Sequence, residues 1–153
     1  MKKLIILLFI TNIGFSQNID HVKQLDTIYI AFKKHENEKK EVYAANFRRY
    51  SFLLKTEDGK TKQIVFEKPD IKDSLTNEGD SKSYTKIKNQ SFLRKHKKDI
   101  IGIDFFTDLD REYIACKLLR APKVLYIIDY TEKKKRKIIL YRVYLLDFCP
   151  VYE

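Results

Sequence analysis

The 153-residue chain has no tryptophan, one methionine, three prolines, four glycines and two cysteines. Each scarcity excludes something. With one of the four glycines among the first sixteen residues, too few remain for a glycine-rich loop that cradles phosphates. Neither G-x-S-x-G nor H-E-x-x-H occurs. The histidines, His21, His35 and His96, stand apart, and none is spaced from another ligand as zinc sites require. Two cysteines, Cys116 and Cys149, allow a single intramolecular bridge. There is no internal repeat and no low-complexity segment.

A long apolar run is also missing. The most apolar stretch, Leu4 to Ile10, follows Met1-Lys2-Lys3 and precedes the small residues Gly14 and Ser16. That order of charge, apolar run and small residues is the pattern of a secretory signal peptide. Even Leu4 to Phe15 is far short of the roughly 20 apolar residues a membrane span needs. The sequence therefore divides into a signal peptide, residues 1–16, cleaved near Ser16/Gln17, and one domain, residues 17–153, exported to the periplasm or the medium. No cysteine lies near the cleavage point to carry a lipid anchor. An oxidising compartment permits a Cys116–Cys149 disulfide.

Positive charge and aromatic residues are what the chain has in quantity. Its formal net charge is +10, with ten Tyr and ten Phe, and 44% of the residues are hydrophobic. That is enough for a core without help from a metal, and few Gly and Pro beside many aromatics favour a sheet with compact turns.

The strongest structural signal is the stretch from Pro122 to Phe148. Two β-branched and aromatic runs flank a short basic connection, as in an antiparallel hairpin. Both runs are apolar on both pleat faces, so the hairpin belongs at the centre of the fold, covered on both sides. A first strand places Ile28, Ile30 and Phe32 on one face. Asp58-Gly59, between Arg48–Thr56 and Thr61–Lys68, marks a second hairpin. The mixed-sign run Lys34–Glu41 reads as a solvated loop or strand end, and Pro69–Gln90 as a long loop with an edge strand near Ser83–Lys88. Ser91 opens a helix to about Lys98. Asp99–Phe106 reads as a short buried extended piece, and Thr107 caps a second helix that Pro122 ends. The expected class is α+β: an antiparallel sheet of about five strands with two short helices inserted before the C-terminal hairpin. Two short helices cover one sheet face only. The long loop, a curled sheet or a partner, including a second copy of the chain, must cover the other.

Three constellations bear on function. Lys133, Lys134, Lys135, Arg136 and Lys137 form a basic hairpin tip; Arg94, Lys95, Lys97 and Lys98 form a second run. Such strings keep a turn solvated, or they contact a polyanion if they share a surface. Asp104, Asp108 and Asp110 have carboxylates for a hard cation but lack the glycine and closing glutamate of a calcium loop, and helix capping explains two of them. Asp104, Asp108 and His96 could instead assemble a small hydrolase site. The leading expectation is an exported, non-catalytic binding module with no cofactor or metal, whose partner is an envelope protein or an anionic surface. The alternative is a small exported hydrolase with a carboxylate and histidine site.

Overall fold

A computed structural model describes residues 19–43, 47–55, 59–69, 84–120, 122–132 and 136–146. The expected signal peptide, Lys133–Lys135 and Cys149 lie outside them.

The fold is mostly β, which corrects the expected class. Eight strands form one mixed sheet, in place of five antiparallel strands with two helices. They are β1 (Thr27–Phe32), β2 (Glu38–Tyr43), β3 (Phe47–Lys55), β4 (Thr61–Lys68), β5 (Thr85–Asn89), β6 (Ile100–Ile101), β7 (Val124–Asp129) and β8 (Lys137–Leu145). The path runs β2-β3-β4-β8-β7-β1-β6, and β5 pairs β8 off that path. β1 lies parallel to both β7 and β6. Hairpin signals are local and report only antiparallel neighbours, so a parallel pair joining distant segments leaves no such mark.

Both expected hairpins are present. β3 pairs β4 antiparallel from Arg48↔Lys68 to Lys55↔Thr61, and Gly59 takes φ +77° near the turn, a conformation that favours glycine. β7 pairs β8 from Leu125↔Val143 to Ile128↔Leu140. β8 is where the sheet divides. Its first half, Lys137–Tyr141, pairs β5, whereas its end pairs β4 at Phe66↔Leu145 and Glu67↔Tyr144. The β2–β3–β4 part therefore peels away and closes over β1 and β7. Ring contacts mark the closure: Phe32 of β1 lies 5.1 Å from Tyr50 and 6.1 Å from Phe52 of β3.

The central hairpin is covered on both faces. Leu125, Ile127, Tyr141 and Val143 join Phe32, Phe52, Phe66, Phe106 and Ile114 in the larger core. Tyr126, Ile128, Ile138 and Leu140 point the other way, into a smaller core completed by Tyr29, Phe92 and Leu93. Each fully buried Phe or Ile contributes on the order of 2–3 kcal/mol. The second face is thus covered by this chain's own helix, which removes the reason for seating a second copy there.

The run expected to be a solvated loop or strand end supplies β2. Glu38 is buried because its carboxylate accepts the amides of Lys33 (2.7 Å) and His35 (3.0 Å), closing the turn in which Lys34 adopts φ 61°. One helix, α1 (Ile19–Gln24), was not expected, and the two expected ones are short: α2 (Ser91–Lys95) and α3 (Arg111–Tyr113), the last running on as a π turn, Ile114–Leu118. Ser91 is the first residue of α2 and does not cap it; Gln90 precedes it without a side-chain cap. Asp110, not Thr107, caps α3, its carboxylate accepting the Tyr113 amide at 3.1 Å. Between them Ile100–Ile101 is extended, and Ile103–Phe106 coils into a 3-10 turn.

Candidate binding site

Two polar constellations need separate treatment. The first lies between the sheet layers. Asp129, at the end of β7, is fully buried. Lys40 Nζ donates to Asp129, Thr131 and Glu132, each at 2.9 Å, and the Tyr50 hydroxyl donates to Asp129 at 3.0 Å. The Thr131 amide and hydroxyl donate to the other Asp129 oxygen at 2.9 and 2.6 Å. Tyr141 donates to Glu132. Arg48 stacks over the Tyr141 ring at 4.4 Å, and its Nε, 3.6 Å from Glu132, is buried without a hydrogen bond. Burial and the Asp129 charge push the Tyr50 hydroxyl far above its ordinary value. Burial pulls the Lys40 ammonium down, but its bonds to Asp129 and Glu132 outweigh that and hold it above the ordinary value. Arg48 Nε apart, these groups satisfy one another and tie β2 and β3 to the β7–β8 connection.

The second constellation opens to solvent on the opposite face of β1 and β7. Antiparallel partners project to the same side of a sheet, so the pairs Lys86↔Leu140 and Lys88↔Ile138 put both lysines on the side of the smaller core. α2 crosses that side. Between α2 and β5 lies a cleft of about 530 Å³, within the roughly 300–1,000 Å³ range of small-molecule sites. Its floor is Tyr29, Phe92, Tyr126 and Leu140, and its polar lining is Lys86, Lys88, Asn89, Ser91, Lys95 and His96. Among the described residues, no carboxylate lines it. Lys86 Nζ sits over the Tyr126 ring at 5.0 Å. Among the described residues, no ion-pair partner is shown for Lys88 or Lys95.

His96 is fixed in this wall. Its Nδ1 donates to Asp99 Oδ2 at 3.0 Å, and its ring packs 4.3 Å from Phe92 and 5.3 Å from Tyr29. The other Asp99 oxygen accepts His21 Nε2 at 3.1 Å, so one carboxylate orients two imidazoles and pins α1. Burial pushes the Asp99 carboxyl up, but the bonds from His96 and His21 outweigh it and hold it below the ordinary value.

The residues singled out in the sequence fall as follows. Lys95 and His96 line the cleft; Arg94, Lys97 and Lys98 are exposed around α2. Arg136 and Lys137 are exposed where β8 begins. Lys137 pairs Asn89, and the Gln90 amide donates to the Arg136 carbonyl at 3.2 Å, one residue before α2 starts. Arg136 itself holds φ 65°. Asp104 and Asp108 are exposed in and after the 3-10 turn, and neither lines the cleft with His96. Cys116 is half-buried in the π turn, and its expected partner Cys149 is outside the described residues. Among the described residues no group of three His, Cys, Asp or Glu side chains is placed to hold a metal ion. Lys86, Lys88 and the His96–Asp99 pair were missed in the sequence. H-x-x-D was legible there as a local pair, whereas His21 carried no local signal.

No protein family, no curated protein and no solved structure matches the chain.

Proposed function

We propose that the chain is an exported, non-catalytic module that binds polyanions through the corner where β5, α2 and the start of β8 meet. The observation that carries the reading is the Asn89↔Lys137 register with the Gln90–Arg136 bond. It sets Arg136 and Lys137 beside the start of α2, which carries Arg94 and Lys95. Arg94 follows Gln90 by one helical turn, about 6 Å of rise, a step shorter than the Debye length of roughly 8 Å at 0.15 M salt. Lys86 and Lys88 add to the same corner from β5. Together these cations can release condensed counterions from a polyanion, which is the driving force of such binding.

The test uses heparin as the polyanion across a salt series. One variant carries Gln at Lys133, Lys134, Lys135 and Lys137; the other carries Gln at Arg94, Lys95, Lys97 and Lys98. Each is expected to bind more weakly and with a shallower salt slope, by similar amounts, because both deplete one patch. A wild-type protein that does not bind heparin at low salt sinks the reading.

Export carries its own expectations. The protein recovered from the periplasm or medium begins at or near Gln17 by intact mass. Alkylation before reduction labels no thiol, because Cys116 and Cys149 are joined. In the chain-entropy view that bridge contributes on the order of 3–4 kcal/mol. A labelled cysteine in the native, unreduced protein would end the disulfide proposal.

A further inference from the structure

We infer that the cleft between α2 and β5 is a discrete subsite for one anionic sugar residue of an acidic glycan. The inference rests on the polyanion reading and names its ligand class. The lining divides by chemistry. Three lysines supply positive charge, and among the described residues no carboxylate lining the cleft opposes it. None of the lining residues is arginine, so there is no planar fork for bidentate recognition; ammonium groups act as point charges towards a sulfate, phosphate or carboxylate on a ring. Asn89, Ser91 and the His96 imidazole offer hydrogen-bonding groups that match ring hydroxyls.

The floor favours a sugar over a nucleobase. Base binding needs an open aromatic face on which the base can stack. Here the rings engage one another. Tyr29 meets Phe92 edge-on at 5.1 Å, Phe92 packs against His96, and Lys86 covers the Tyr126 ring. What they leave is a short apolar patch bordered by donors, which suits a ring with one C–H face and a polar rim. His96 is a positioning residue: the Asp99 bond holds its ring against Phe92, so the wall is formed before any ligand arrives.

The experiment measures binding of a sulfated heparin disaccharide to the mature protein at low salt, beside the same disaccharide without sulfates and a short oligothymidylate. The expected result is saturable one-to-one binding of the sulfated disaccharide only. Lys88→Gln and Lys95→Gln each weaken it about tenfold, the usual scale of one lost charge-assisted hydrogen bond. Ser91→Ala weakens it less, and Lys117→Gln, exposed on the π turn outside the basic corner, leaves it unchanged. Lys88, Ser91 and Lys95 are exposed, so these substitutions leave the fold intact. Disaccharide binding that does not saturate, or equal losses from Lys88→Gln and Lys117→Gln, overturns the subsite in favour of diffuse attraction. Oligothymidylate binding with the same lysine dependence overturns the glycan assignment. If long heparin binds and the disaccharide does not, the corner survives and the cleft falls. If long heparin does not bind, the underlying reading falls first.

Discussion

The two polar constellations occupy opposite faces of the β1–β7 pair and are built on opposite principles. Around Asp129, cations and anions alternate: Lys40 and Arg48 face Asp129 and Glu132, and two tyrosines contribute further donors. Around the cleft, cations face solvent, and the nearby carboxylate of Asp99 is occupied by two histidines. A cluster that satisfies itself in the interior holds a fold together. A cluster left with unopposed charge at the surface invites a ligand. Perturbed ionisation alone would have chosen the wrong face, since the most strongly shifted hydroxyl, Tyr50, belongs to the closed cluster.

The largest effect separates the two. Asp129→Ala removes the acceptor of the buried Tyr50 hydroxyl and one of the two carboxylates that hold Lys40, so it is expected to cost about 3 kcal/mol in urea unfolding, while folded protein still binds heparin. A loss under about 1 kcal/mol would mean that the interior cluster is not closed and would break the comparison. Joint replacement, Lys40→Met with Asp129→Leu, is expected to recover part of the loss, because no single charge is left buried.

Acid comes next and acts on both faces. For Glu132 burial alone would raise the carboxyl, but bonds from Tyr141 and Lys40 bring it below its ordinary value of 4.5. Asp99 is likewise lowered. The folded chain therefore binds fewer protons than the unfolded one. The stability this gives is present above the unfolded carboxylate values and is lost as pH falls through the folded ones. Urea midpoints measured from pH 7 to pH 3 are expected to drop below about pH 4.5. Glu132→Gln and Asp99→Asn each flatten part of that drop. An unchanged profile in both variants would locate acid sensitivity elsewhere.

The smallest effect has two signs. A non-glycine residue in the left-handed region costs roughly 1–2 kcal/mol, and glycine returns part of that as unfolded-state entropy. Arg136→Gly is therefore expected to stabilise the fold by about 0.5–1 kcal/mol while weakening heparin binding. Stability and binding that fall together would tie Arg136 to the fold and take it out of the proposed surface.

Much of the architecture was legible because its signals are local. Asp58-Gly59 announced β3–β4, and apolar residues on both pleat faces of Val124–Asp129 announced a strand buried on both sides. The curled sheet was among the covers that pattern demanded. The eight-strand mixed sheet was not legible. β1 finds β7 from the other end of the described chain, and β2 is hidden by Glu38, Lys39, Lys40 and Glu41, whose charges look solvated until Asp129 and the Lys33 amide are seen beside them. The site was half legible. Lys95 and His96 stood out in a basic run, but Lys86 and Lys88 became cleft residues only through their register with β8.

The parallel pairing of β1 with β7 also sets a timetable. Thr27 of β1 pairs Val124 of β7, so β1 leaves the ribosome well before its long partner is made. Until then its one other neighbour, β6, offers two paired residues. Closing so wide a loop costs entropy before any contact repays it, and folds dominated by such pairings are slow to form. Under the export proposed above, the chain has to stay unfolded until it has crossed. The delay is written into the order of the strands: β1 cannot complete its pairing until β7 has been made.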